Sequence, residues 1–422
     1  MNAIELNWEF IRTQLPEGWR ELAVEMGLIH SVAPQLHAKV RDIEPILRLE
    51  LYRAGLEASL RTTTATAAAA QDVAERKGQG AAAGPLVDLS APSLHAWERK
   101  LGPYLAELVA RMVKANDVFS VSRWSGYELV LADGTTVTRP GAKGTTARIL
   151  YSMRLVDLTL LKVLETDEHG GESLRVFTVR PGQLWICDRL YSNPEDIDWV
   201  VQGHGDVLVR VNRGALPLFG VEGSSFDVLD RVRSLTQPGA MAEWSVEVHP
   251  KGRARIQGRL CAVRLTDEDA EKARKRLRRE EGASVSREAL EAAAWVFVFT
   301  TAPRERLTTQ QILGLYRLRW QMELEIKRNK SLGGMDKLPN FRADTIATWL
   351  YAKLLNQQIA RKVATPAVAF PPSVIGDAAL AVSRRPTRRT APARARHRGR
   401  DVARHGPRVR GAPRRAAPAR PA

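Results

Sequence analysis

Cysteine is nearly absent. The 422 residues contain two, Cys187 and Cys261, in no spacing that suits a metal-ligand pair. A disulfide framework and a zinc site are therefore excluded, and a reduced, intracellular setting is expected. No run of about eighteen apolar residues occurs, so no membrane-spanning helix is expected. The N-terminus, MNAIELNWEF, carries acids where a secretory signal carries a basic segment. Together these absences predict a cytoplasmic protein with no membrane partner.

Lysine is missing from one long stretch. From Thr365 to Ala422 there are fourteen Arg, no Lys and two Asp, so +12 of the net +17 lies there and only +5 upstream. A basic balance favours a polyanionic partner, but the body of the chain contributes little of it. Arg, Pro and Ala without periodicity cannot pack a core, and residues 364–422 are expected to form a disordered tail. Such a tail suits non-specific DNA binding. A GC-rich gene read in a shifted frame would produce the same composition, and both explanations stay open.

Upstream, a chain of this length can bury a large core and divide into two or three units. Residues 1–115 read as helical, with periodic apolar stretches at Ile43–Leu60 and Leu94–Val113, the latter interrupted by Gly102-Pro103. A loose segment rich in Thr, Ala and Gly separates them. Two short helices around a turn are compatible with a recognition helix, or with a bundle that only packs on the core. Near Val118 the apolar period changes from 3.6 to 2. Tyr127 to Thr138 then reads as a strand, a turn at Asp133-Gly134, and a second strand. Arg148–Leu161 and Ser173–Val179 continue the β pattern. Gln183–Cys187 reads as a buried strand ending on Asp188, the place where α/β sheets present chemistry. Asp206–Val211 is another strand and carries Arg210. Between 215 and 291, apparent strands at Ser225–Val232, Ala242–Pro250 and Arg253–Leu265 and a charged helix at Thr266–Arg279 suggest a β-rich insertion. Trp295–Thr301 returns as a buried strand, and Ala343–Val363 as a last helix.

The most informative stretch is Leu315–Leu338, LYRLRWQMELEIKRNKSLGGMDKL. Thr308 and Gln311 form a possible capping box ahead of it. Ile312, Leu315, Leu318, Met322 and Ile326 recur at steps of three and four, which predicts one long amphipathic helix. Tyr316, Arg319, Glu323, Lys327 and Lys330 form a second stripe at the same steps. A carboxylate flanked by Arg, Lys and a Tyr hydroxyl suits a metal ion that must meet a polyanion. An exposed, salt-bridged helix face would look the same.

Tyr316-x2-Arg319-x3-Glu323-x6-Lys330 resembles the Tyr-Arg-Glu-Lys signature of the IS-four family of DDE transposases, the insertion-sequence transposases. Asp188-Arg189-Leu190-Tyr191 is similar to that family's second-aspartate motif, and the resemblance extends over roughly Leu129–Lys362. It implies an RNase H-like α/β catalytic core at 118–214 and 292–363, a β-rich insertion at 215–291, and a helical DNA-binding region at 1–115. It implies Asp133, Asp188 and Glu323 as catalytic ligands of two Mg²⁺ (or Mn²⁺) ions. It also implies DNA contacts from Tyr316, Arg319, Lys330 and Arg210, with Trp295 stacking on a flipped terminal base. The implied reaction is cut-and-paste transposition on double-stranded DNA. The implied partners are terminal inverted repeats, target DNA and a second copy of the chain in a synaptic complex. Glu325 is a neighbouring acid, but only Glu323 fits the spacing to Arg319 and Lys330. The rival readings are an inactive transposase remnant, a regulator that binds DNA without cleaving it, and an RNase H-like nuclease without strand transfer.

Overall fold

The computed structural model describes residues 8–31, 42–76, 89–116, 123–138, 144–167, 171–331, 333–336, 338 and 343–364. The expected tail lies outside the described residues. Among the described residues six helices come first: α1 (Trp8–Gln14), α2 (Trp19–Glu25), α3 (Leu28–Ser31), α4 (Glu44–Leu56), α5 (Leu60–Arg76) and α6 (Ala91–Asn116). Two of them differ from expectation. The Ala-rich stretch read as loose is helical in α5, because Ala is the strongest helix former and Ser59 caps the first turn through the Thr62 amide (3.1 Å). α6 runs through Gly102-Pro103 without ending. Gly102 has a packing reason, since a Cβ there would lie 3.1 Å from Ala347 Cβ of the last helix.

The strands are β1 (Glu128–Val137), β2 (Ala147–Arg154), β3 (Leu160–Asp167), β4 (Gln183–Cys187), β5 (Asp206–Arg210), β6 (Met241–Val248), β7 (Ile256–Arg264) and β8 (Trp295–Thr300). They form one eight-stranded sheet in the order β3-β2-β1-β4-β5-β8-β7-β6. β1, β4 and β5 run parallel at its centre, and antiparallel strands flank them on both sides. β1 does not turn at Asp133-Gly134, as the Asp-Gly pair suggests. It pairs with β2 continuously from Val130↔Arg154 to Val137↔Ala147, and the reversal comes after Val137. The physical reason is tertiary. Gly134 does not take the positive φ of a tight hairpin turn, and its missing Cβ leaves room for Glu172 and Leu150, each 2.9 Å from where that atom would be.

Between β4 and the end of the chain lie α7 (Pro194–Gln202), α8 (Val228–Val232), α9 (Asp267–Glu281), α10 (Arg287–Ala292), α11 (Thr309–Arg317), α12 (Trp320–Ser331) and α13 (Ala343–Ala364). Two segments expected as strands are not. Leu174–Val176 is a 3₁₀ turn capped by Ser173, and Val228–Val232 is a short helix whose cap, Asp227, accepts from the Leu229 amide (2.8 Å). Local capping competes with strand pairing in both places. The 215–291 segment, expected as a β-rich insertion, thus holds two strands and three helices. Its strands β6 and β7 join the central sheet through β8 instead of building a sheet of their own.

Side chains alternate across the sheet. Leu129, Leu131, Leu184, Ile186 and Leu208 enter one core with α6, α11, α12 and α13. Val130, Ala132, Trp185, Cys187 and Val209 enter the other, beneath α7 and α8. Helices on both faces of a mixed sheet are consistent with an RNase H-like core. The N-terminal helices belong to the first of these cores. Thr348 Oγ1 on α13 donates to Glu98 O (2.6 Å) and Asn356 Nδ2 to Leu51 O (2.8 Å). Among the described residues, no helix is long and apolar enough to cross a membrane.

One close approach locks the insertion to the sheet. A Cβ on Gly258 would sit 2.5 Å from the Phe299 ring and 2.7 Å from Thr300 O on β8. Gly258→Ala is expected to lower stability by about 1–3 kcal/mol through overpacking. Urea unfolding reads this directly, and an unshifted midpoint would mean that β7 and β8 do not meet so closely.

Candidate active site

The sheet's central strands deliver two aspartates to one edge and one face. Asp133 follows Leu131 at the period of two, so it shares the face on which α11 and α12 lie. Asp188 follows Ile186 at the C-terminal end of β4 and opens a 3₁₀ turn, but its side chain caps nothing. The capping work falls to Asn193, whose side chain accepts from the Asp196 amide (2.9 Å) at the start of α7. The carboxylate of Asp188 is thereby left for the neighbouring elements.

Those elements are α11 and α12. The Thr308–Gln311 capping box forms as expected, and Ile312, Leu315, Leu318, Met322 and Ile326 are all buried. The single long helix, however, is broken. Leu318 N and Arg319 N bond to carbonyls three residues back (2.9 and 3.1 Å), a tight turn that separates α11 from α12. The apolar stripe survives the break, and the polar stripe is re-aimed. Tyr316 lies in the last turn of α11, Arg319 sits in the joint, and Glu323 lies in the first turn of α12.

The resulting contacts tie distant parts of the chain together. Arg319 Nη1 meets Asp133 Oδ2 at 3.3 Å, and Nη2 meets Glu323 Oε1 at 2.5 Å. Tyr316 OH donates to Asp188 Oδ1 (3.4 Å). Lys330 Nζ donates to Thr136 O (2.9 Å), three residues beyond Asp133 on β1. Arg210 ends β5 near Tyr316, where its positive charge favours the phenolate. Among the described residues, Arg210 makes no ion pair.

Electrostatics mark the same cluster. Burial pushes the Asp133 carboxyl up to about 6, with Asp188 and Glu172 adding to the rise and Arg319 and the Gly134 amide opposing it. Burial also raises Tyr316, and Asp188 raises it further. Burial works against the charge on Arg319, but Asp188, Tyr316, Asp133 and Glu323 outweigh it and hold the guanidinium ionised.

Glu172 was not legible as a site residue. Burial raises its pKa, Arg148 opposes that, and Asp188 adds to it. It precedes the 3₁₀ turn in a Gly-Gly-Glu-Ser loop with no period and no motif, so no sequence signal points to it. Glu325 faces the other way. It is buried and pairs with Arg361 of α13 (2.7 Å). Trp295 is not brought to the site. Its ring lies on the opposite face of the sheet, in the second core, with Nε1 donating to Leu235 O (3.1 Å) and the Arg264 guanidinium 5.2 Å from the ring centre. Among the described residues, no three His, Cys, Asp or Glu side chains stand together as a metal cluster. Arg319 supplies the positive charge that contacts both Asp133 and Glu323.

A sheet presenting two aspartates beside a helix with a glutamate is the outline of a DDE enzyme. A family model described as Transposase DDE domain matches residues 124–356, the region that holds every one of these residues. The transposase for insertion sequence element IS421 of Escherichia coli is 31% identical over 349 residues, covering 80% of this chain and 89% of that protein. The putative transposase InsL for insertion sequence element IS186A of Escherichia coli (strain K12) is 33% identical over 262 residues, covering 60% and 70%. The transposase for insertion sequence element IS231F of Bacillus thuringiensis subsp. israelensis is 28% identical over 196 residues, covering 42% and 41%. The chain belongs to the DDE transposase family. It is an insertion-sequence DNA transposase, a metal-dependent enzyme of DNA cleavage and strand transfer.

Proposed function

We propose that Asp133, Asp188 and Glu323 are the catalytic carboxylates, and that Tyr316, Arg319, Lys330 and Arg210 grip phosphates beside the scissile bond. One observation carries this reading. The Arg319 guanidinium, 186 residues beyond Asp133, joins that carboxylate to Glu323, while the Tyr316 hydroxyl one turn earlier reaches Asp188. Folding has no need to set Asp133, Asp188 and Glu323 around one Arg-Tyr pair, and the repulsion between Asp133 and Asp188 opposes it.

The donor set suits hard divalent cations, being all oxygen with no thiol or imidazole. Asp133, Asp188 and Glu323 would hold two Mg²⁺ or Mn²⁺ ions. Bound there, the ions would lower the pKa of the attacking water or 3′-hydroxyl and stabilise the leaving oxygen. Arg319 does part of that neutralisation now. Once relieved of it, the planar guanidinium is free to take two phosphate oxygens at once. Tyr316 donates from the same side, and Lys330 adds a point charge beyond Asp133. Trp295 takes no part in this reading.

The proposed substrates are the element's terminal inverted repeats and the target DNA. The N-terminal helices contribute to end binding, and two copies of the chain bring a pair of ends together in the cytoplasm. The test is cleavage of labelled DNA carrying the element's own ends with Mg²⁺ or Mn²⁺, comparing wild type with Asp188→Asn. The expected result is end binding by both and cleavage by wild type alone. Equal cleavage by both would remove Asp188 from the site. Ends bound but uncut by wild type would identify an inactive remnant.

A further inference from the structure

Among the described residues, α9 is a strongly charged element that the catalytic reading does not use. Lys272, Arg274, Lys275, Arg276, Arg278 and Arg279 follow one another with no acid between them, whereas Asp267, Glu268 and Asp269 fill the first turn. A helix that is merely solvated intersperses the two signs. Here acids lie at both ends, Asp267 to Glu271 and Glu280-Glu281, and the six bases between them are sorted around the axis. Ala270 is buried and Arg274 Nε donates to Leu290 O (3.2 Å), so that side holds the helix to the insertion. Lys272, Lys275, Arg276 and Arg279 stand at i, i+3, i+4 and i+7 on the opposite side, and all four are exposed. Lys272 is paired with Glu268 (2.7 Å) and Arg276 with Glu280 (2.6 Å). Lys275 and Arg279 form no ion pair among the described residues.

The basic end of the stripe lies against the active site. Glu280 Oε2 stands 3.7 Å from Arg189 Nη2, and Arg189 directly follows Asp188. Glu280 chiefly raises the pKa of Arg276, and Glu323 and Asp188 raise it further, which sets that side chain within electrostatic reach of both carboxylates. The stripe therefore starts beside the reacting centre and leads away from it over the insertion.

We infer that the Lys272-Lys275-Arg276-Arg279 face of α9 is a phosphate-backbone track for the DNA duplex that continues beyond the scissile bond. This rests on the site acting on DNA, as proposed above. The contacts are to phosphates and carry no base information, so they act alike on element ends and on random duplex.

The experiment measures the salt dependence of duplex binding by the full chain. It compares wild type with the double variant Lys275→Gln/Arg279→Gln, on element ends and on random DNA of equal length. Each lost phosphate contact reduces the slope of log Kobs against log salt by about 0.9. The double variant is expected to lose about two units of slope on both DNAs, with an unchanged melting temperature. Lys251→Gln/Arg253→Gln removes the same charge from the β6–β7 turn at the far edge of the sheet, and should leave the slope as it is. A wild-type slope in the folded α9 variant would overturn the track. Equal losses in both variants would also overturn it, by showing a long-range charge effect. Wild type that cuts its ends while the α9 slope stays unchanged would sink this inference alone, whereas wild type that binds no DNA would sink the catalytic reading with it.

Discussion

Glu323→Gln is expected to lose DNA cleavage by about three orders of magnitude while keeping the wild-type melting temperature, and Glu325→Gln is expected to do the reverse. The two acids are separated by one residue, but α12 turns them to different surroundings. Glu323 is half-exposed and its only ion pair among the described residues is with Arg319, which also holds Asp133. On the proposed reading, exchanging it for an amide removes a negative metal ligand, an effect worth several kcal/mol, and each ~1.4 kcal/mol is tenfold in rate. Glu325 is buried between Arg361 (2.7 Å) and Arg328 (3.6 Å). An amide there weakens charge-assisted bonds between α12 and α13, at a cost of about 1–3 kcal/mol. Cleavage assays and thermal melts on the two variants decide the matter. Full activity in Glu323→Gln, or a lost active site in a stable Glu325→Gln, would exchange the assignments.

The largest stability effect is expected from Arg53→Met. Arg53 on α4 is buried between Glu50 (3.0 Å) and Glu98 of α6, with its guanidinium 4.7 Å from the centre of the Trp349 ring on α13. It is thus the common partner of three helices. Removing it leaves two carboxylates without their counter-ion in an apolar core, a change that costs about 3–5 kcal/mol. The sign of the pH dependence follows from the carboxyls. Burial raises both Glu50 and Glu98 to about 7, with Arg53 opposing. An acid whose folded pKa is raised binds its proton more tightly when folded. Its contribution to stability is therefore greatest in acid and is lost as pH rises from the ordinary carboxylate range through about 7. The wild-type chain should be easier to unfold at pH 8 than at pH 5.5, and the Arg53→Met deficit should be larger at pH 8. Urea titrations at the two pH values test this. A deficit equal at the two pH values would mean that neither acid changes its protonation between them.

The proposed site residues are legible to different degrees, for physical reasons. Asp188 could be read because a buried β-strand ending on a charge is visible in QLWICD. The Tyr-Arg-Glu-Lys stripe could be read because helical spacing survives the break at Leu318–Arg319, where a tight turn keeps Leu318 and Met322 on the buried side. Asp133 was harder, since Asp-Gly is also ordinary turn chemistry. Only its pairing with β2 and the approach of Glu172 make that segment a strand. Glu172 itself and the placement of Trp295 were out of reach. The first lies in a loop without period, and the second depends on which face of a strand points toward the helices.

By itself the sequence determined which residues are buried, where helices and most strands lie, and the order of acids and bases along them, because these follow from periodicity, capping and charge within a few turns of chain. Tertiary structure alone decided how the acids meet. β1 continues past Asp133 because β2 pairs with it, and the polar stripe bends at Arg319 because α11 and α12 each pack on the sheet. α9 comes to lie beside Asp188 because β6 and β7 join the central sheet through β8. Each of these outcomes rests on contacts between residues far apart in the chain, and no local pattern encodes them.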